Sequence, residues 1–218
     1  MQRERDLAEL TLCLTNIEKS EMKTGVVIGI IAVLAVVCGC SSDNAMRLDR
    51  EEKDIIDAEG IMRVLTVSNR EDSLVLRSEC TDFPERVLRS KRFRRLADRM
   101  IATVTDSTQG GVGIAGPQVG LKRRLVAVQR FDKDGGPFEV YPNIRIEYMS
   151  DETQTGPEGY LSIPGIYGEV ERSQTVVISY VDPYSFESVR DTVSGFTAVI
   201  FQHETDHLDG ILFTDRMQ

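Results

Sequence analysis

The stretch Phe201-Gln202-His203-Glu204-Thr205-Asp206-His207-Leu208-Asp209-Gly210 holds both histidines of a 218-residue chain, four residues apart and with a glutamate directly after the first. On a helix, positions i and i+4 lie one above the other on the same face. Two imidazoles in that relation can share a metal ion, and the adjacent glutamate can act on a water held there. The helical pattern continues upstream. Phe196, Val199, Ile200, His203 and His207 share a face, while Ala198, Phe201 and Leu208 lie elsewhere on the same helix. A helix apolar nearly all round is a buried one. The pattern therefore predicts a helix from about Gly195 to Asp209, capped by Ser194 and closed by Gly210, with its histidines pointing into the protein.

A hydrolytic zinc-type site needs three protein ligands and one open position. Gly210 fits the longer metzincin spacing, but Phe213 stands where that pattern places a third histidine. The sequence has no other histidine and reaches Gln218 soon after, so a third ligand is expected upstream. The plain alternative is a pair of core histidines satisfied by hydrogen bonds.

Upstream, Ile61 to Leu65 and Leu74 to Leu76 read as extended or loop. Asp82 with Glu85 three later suggests a helix start. Phe93, Leu96, Ala97, Met100, Ile101 and Val104 then recur at helical spacing, with Arg92, Arg94, Arg95 and Arg99 as the solvated face. The run Gly110-Gly111-Val112-Gly113-Ile114-Ala115-Gly116-Pro117-Gln118-Val119-Gly120 formally matches a dinucleotide fingerprint. That fingerprint needs a strand before it and a helix opening at its end. Here a helix precedes, and Gly120 follows Pro117 too closely for a helix to start, so nucleotide binding is excluded. A glycine-rich loop also lets backbone approach a ligand, which leaves Gln118 as a polar donor at a site or, more plainly, as loop packing. Leu125 to Val128, Phe138 to Tyr141, Ile144 to Tyr148 and Thr175 to Val181 read as strands, and Asp151 to Pro157 as polar loop.

The composition is ordinary for a globular chain, 41% hydrophobic and 28% charged, and the net charge of -9 leaves no electrostatic footprint for nucleic acid. Of Cys13, Cys38, Cys40 and Cys80, only the last belongs to the domain body, so no disulfide framework exists and Cys80 is only a remote candidate ligand. Met22-Lys23 opens a segment whose core, Gly25 to Val37, is 13 apolar residues. That is short for a membrane span, which needs roughly 20, and suits a secretory signal. It ends Val37-Cys38-Gly39-Cys40-Ser41-Ser42, which resembles a bacterial lipobox with lipid attached at Cys40. The organisation expected is an upstream extension over 1–21, a signal with lipobox over 22–40, a flexible tether over 41–59 and a folded domain over 60–218. The expected location is the bacterial cell envelope, or the cytoplasm if the leader is not a signal; a plain anchor is the other reading.

Three ordered motifs resemble those of the peptide deformylases. They are Gly111-Val112-Gly113-Ile114-Ala115-Gly116-Pro117-Gln118, then Glu158-Gly159-Tyr160-Leu161-Ser162, then Gln202-His203-Glu204-Thr205-Asp206-His207-Leu208. The resemblance implies an α+β fold of antiparallel sheets packed around a central C-terminal helix. It implies removal of formyl from N-formylmethionyl peptides, usually with ferrous iron, and with zinc or nickel able to occupy the site. By the same resemblance His203 and His207 hold the metal and Glu204 moves the proton of the attacking water. The Gln118 amide and the Leu161 backbone N–H stabilise the oxyanion.

Two positions depart from the family's pattern. Gly116 stands where alanine is usual, with little effect expected. Tyr160 stands where the family has its third ligand, a cysteine. A thiolate binds such metals readily, whereas a phenol has a pKa near ~10 and must lose its proton to bind. Three outcomes follow: Tyr160 as phenolate ligand, a two-histidine site, or a metal-poor, membrane-tethered binding domain. Glu158 is expected only to support its loop.

Overall fold

The computed structural model describes residues 47–108 and 110–217. The expected leader, Cys40 and the first part of the tether lie outside the described residues, as do the side chains of Tyr160 and Pro164. Among the described residues, no helix is long and apolar enough to cross a membrane.

The first helix, α1 (Arg50–Asp57), falls inside the stretch expected as tether. Asp49 accepts from the Glu52 amide, and Glu52 reaches back to the Asp49 amide, a reciprocal cap that starts a helix without an apolar period. Leu48 and Ile56 then bury in the main core, so the folded domain begins well before Gly60. Helix α2 (Arg70–Leu76) corrects the extended reading of Leu74 to Leu76: the Asn69 side chain accepts from the Glu71 and Asp72 amides, and Leu76 is fully buried.

The expected start at Asp82 also fails. Pro84 precedes a single turn, α3 (Glu85–Leu88), while Asp82 pairs with Arg145. Ser90 caps a separate helix, α4 (Lys91–Val104), by accepting from the Phe93 amide. Phe93, Leu96, Met100 and Val104 form its buried face, as the spacing predicts. Its arginines are not simply solvated. Arg92 grips Asp57, Arg95 donates to the carbonyls of Asp57 and Ala58, and Arg99 donates to those of Ile55, Ile56 and Gly60. The carbonyls of Ile55, Ile56 and Asp57 are ones that the end of α1 leaves without helical partners.

The strands are antiparallel. β1 (Gly113–Ala115), β2 (Leu125–Gln129) and β3 (Phe138–Pro142) form one sheet. β4 (Arg145–Met149), β7 (Thr175–Val181) and β8 (Ser188–Ser194) form a second in the order β4-β7-β8. β5 (Thr153–Tyr160) and β6 (Ile163–Ser173) pair as a long hairpin, so the stretch read as polar loop is a strand. Its polar sequence hides the strand, which is paired by the 11-residue β6 through a tight hairpin closing at Tyr160↔Ile163.

Helix α5 (Phe196–Leu208) runs past all three sheets. Gly195 at φ 67° caps it in place of Ser194, whose hydroxyl instead bonds that of Thr175 across β7 and β8. β2 explains how α4 and α5 are both held. Its alternate residues Leu125 and Ala127 join the core around α4, while Val126 and Val128 join the core around α5. Phe201 anchors the second core edge-to-face on Tyr141, centroids 4.8 Å apart, and is fully buried. Replacing it by alanine is expected to destabilise the domain by about 3–5 kcal/mol, the range for deleting a buried aromatic ring. Urea unfolding of Phe201→Ala against the parent chain measures this directly.

Candidate active site

A cavity of about 310 Å³ opens where the α5 face meets the glycine loop and the end of β5; its lining includes Gln118, Leu161, His203 and Glu204. His207 lies one turn further along α5 and is fully buried. The two imidazole centroids are 5.9 Å apart with planes at 73°. Tyr160 ends β5 by its backbone, between the cavity residues Gly159 and Leu161.

His203 is held from behind. Its Nδ1 lies 2.7 Å from Glu158 Oε2, and Glu158 takes two further bonds from Arg172, at 2.8 and 3.0 Å. Burial alone would raise the Glu158 carboxyl, but the bonds from Arg172 and His203 hold it down at about 2. An ionised Glu158 must receive a proton at that contact, so Nδ1 carries the hydrogen and Nε2 is the unprotonated nitrogen. Arg172 extends the chain of charges to Asp206 at 2.5 Å, and Asp206 is clasped from its other side by Arg216 at 2.5 and 2.6 Å. Glu158 thus orients a histidine, a role beyond the loop support expected for it. Arg172, Asp206 and Arg216 were not legible as site residues, because the contacts cross 34 and 10 residues of sequence with no local spacing to mark them.

Burial keeps both histidines below the ordinary imidazole range, His207 well below it. The neutral imidazole is the form that ligates a metal. Burial, then the nearby Glu158 charge, holds Glu204 well above the usual carboxylate range. Its Oε2 is buried with no hydrogen-bond partner among the described residues. The glycine loop brings backbone against this carboxylate: a Cβ on Gly113 would stand 2.4 Å from Glu204 Oε1. Gly116 is constrained too, since a Cβ there would meet the Arg123 carbonyl oxygen at 2.5 Å. An alanine here would require that backbone to shift. The turn after β1 is a single 3-10 turn, Gly116–Val119, where no helix is expected.

Gln118 is 2% exposed and committed by its oxygen: Oε1 accepts from the Ala115 amide at 2.8 Å, while Nε2 makes only a 3.4 Å contact with Ser162 Oγ. Among the described residues no three His, Cys, Asp or Glu side chains converge as a metal-binding group. Cys80 is not at the cavity; its amide donates to the Leu208 carbonyl and burial pushes its thiol up to about 12. The donors present are therefore two neutral imidazoles, with an unpartnered buried carboxylate beside them. That set fits a divalent ion that draws a further ligand from another residue type.

Residues 61–218 match the family model of polypeptide deformylase. The chain is 40% identical over 125 residues to a peptide deformylase of Fusobacterium nucleatum, covering 57% of this chain and 68% of that one. It is 38% identical over 149 residues to one from Desulforudis audaxviator, covering 63% and 92%. Among solved structures, the class I type b peptide deformylase of Acinetobacter baumannii aligns with a TM-score of 0.65 at 35% identity, over 72% of this chain and 100% of that one. The Thermotoga maritima peptide deformylase aligns with a TM-score of 0.64 at 30% identity, over 73% and 99%. With a match over most of its length and the α+β architecture in common, the chain belongs to the polypeptide deformylase family and is a peptide-deformylase-like amide hydrolase.

Proposed function

We propose that the chain removes the formyl group from N-formylmethionyl peptides and releases formate. The observation that carries this reading is the Glu204 carboxylate, buried at the cavity beside two neutral imidazoles and with Oε2 unpartnered among the described residues. On this reading His203 and His207 hold a divalent ion, ferrous iron on the family's pattern, with zinc or nickel as substitutes. Tyr160 takes the place of the family's cysteine as third ligand. Such an ion supplies Lewis acidity, which brings the pKa of water at the site toward neutrality. Glu204 would hold the proton lost by the attacking water and pass it to the leaving amine. Gln118, fixed by its oxygen on Ala115, presents Nε2 to the developing oxyanion together with the Leu161 backbone N–H. Glu158 keeps the His203 ring in the tautomer that leaves Nε2 unprotonated.

We further infer that the chain is a lipoprotein of the cell envelope, acylated on Cys40. The support is the 13-residue apolar core after Met22-Lys23 and the Gly39-Cys40 junction.

Glu204→Ala is expected to abolish formate release from a formyl-methionyl peptide while metal content stays near that of the parent. If the parent itself releases no formate with ferrous iron supplied anaerobically, the hydrolase reading fails and a binding domain replaces it. Tyr160→Cys is expected to raise both metal affinity and formate release by roughly tenfold or more, the size of effect that even an outer-shell partner carries. Unchanged values in chelator competition and in turnover would refute the account of Tyr160. Glu158→Gln is expected to weaken metal binding by about 10–100-fold, as loss of the partner that orients a ligating histidine does; chelator competition reads this without relying on activity.

A further inference from the structure

The face built by α1, α3 and α4 carries a charge opposite to that of the chain. Across α1 and the stretch from Glu85 to Val104 there are nine basic residues and six acidic ones, in a protein of net charge -9. Pairing does not cancel the excess. Arg89 is matched by Glu85 and Arg92 by Asp57, while Arg95 and Arg99 bond neutral carbonyls and so keep their charge. Lys91 and Arg94 are exposed and Lys53 half-exposed, and none of the three makes an ion pair among the described residues. A groove of about 330 Å³ opens on this face, lined by Arg47, Lys53, Arg86 and Arg92 with Leu48 and Ser90.

Arg47 and Leu48, which line this groove, stand a short way along the chain from Cys40. Arg47 follows Cys40 by seven residues, a separation that extended chain spans in at most roughly 25 Å. A lipid on Cys40 would therefore keep the face within a short tether of a bilayer surface. Exposed charges act only within about 10 Å at ordinary ionic strength, a distance that lies inside the reach of that tether. No aromatic side chain lines the groove, which removes the stacking platform that a single-stranded nucleic acid uses.

We propose that the basic face of α1, α3 and α4 rests on the anionic phospholipid headgroups of the membrane to which the chain is tethered. The proposal rests on the lipid-anchor reading for its geometry, and its test separates the two. The full chain carrying Cys40→Ser, which cannot be acylated there, is partitioned at low salt between vesicles of phosphatidylcholine alone and vesicles that also contain phosphatidylglycerol. The expected result is a preference for phosphatidylglycerol that raised salt abolishes. Adding Lys53→Gln, Lys91→Gln and Arg94→Gln should reduce that preference about fivefold per charge, on the order of 100-fold for all three, with urea unfolding unchanged. Equal partition onto both vesicles, or a preference that survives the triple substitution, overturns the proposal. Binding to single-stranded RNA without a vesicle preference also overturns it and assigns the face to nucleic acid. The intact mass of the unsubstituted mature chain reports acylation of Cys40 separately; a chain without acyl groups refutes the anchor, while a phosphatidylglycerol preference still supports the basic face.

Discussion

Burying a polar helix is the constraint on which this structure turns. α5 puts Gln202, Glu204, Thr205, Asp206 and His207 out of solvent within a single turn and a half. A buried polar group without a partner costs free energy, so each of these must be answered by the surroundings. Gln202 is answered by the backbone of Ser173, Thr205 by the Phe201 carbonyl one turn back, and Asp206 by Arg172 and Arg216. Two of these partners, Ser173 and Arg172, come from the end of β6, so the hairpin of β5 and β6 helps to bury α5. The same hairpin carries Glu158 and the turn at Leu161. Satisfying the helix and assembling the site are thus one act of folding. Glu204 Oε2 is not so answered among the described residues, and a carboxyl group left with a buried, unpartnered oxygen is costly enough to call for a use.

What was legible in the sequence follows from which contacts are local. The face of α5, its burial and the apolar face of α4 are set by spacing within one helix, and they appear where the pattern puts them. The strands of alternating or continuous apolar residues, such as Leu125 to Val128 and Thr175 to Val181, are equally local signals. β5 was not legible: Thr153 to Tyr160 is polar and glycine-bearing, and only its pairing with β6 makes it a strand. α1 escaped for a related reason, since a reciprocal side-chain cap and two buried residues hold it, not a periodic stripe. In the site, the residues that touch substrate in the proposed reading lie inside motifs. The ones that orient them, Arg172, Asp206 and Arg216, become neighbours only through the fold.

The arginines of α4 show how one composition can serve two ends. Two of them, Arg95 and Arg99, close the C-terminal end of α1 by donating to its carbonyls. An uncharged donor could satisfy a carbonyl equally well. Arginine satisfies it and leaves a positive charge in place, because a backbone carbonyl neutralises nothing. The basic character of this face is therefore partly a by-product of how α1 is fastened. Lys53, Lys91 and Arg94 have no such duty among the described residues, and they add to a surplus that packing does not require.

The two departures from the family's pattern differ in kind. At Gly116 the backbone has closed in: the Leu121 amide donates to the Gly116 carbonyl at 2.9 Å, and the Arg123 carbonyl occupies the space that a methyl group would need. That change is absorbed by local geometry, and Gln118 two residues on keeps its anchor on Ala115. On the proposed reading Tyr160 cannot be absorbed in that way, because it would stand in for a donor atom and not only for volume. Yet the elements on either side of it are intact. Glu158, two residues before, still orients His203, and Leu161, the next residue, still lines the cavity. On the proposed reading the orientation of the histidine and the seat of the proton acceptor survive, and the alteration is confined to the third donor. A phenol in place of a thiol demands deprotonation before it can bind, so the chain's difference from its relatives should lie in which metal it holds and how tightly, with the polar scaffold around α5 unchanged.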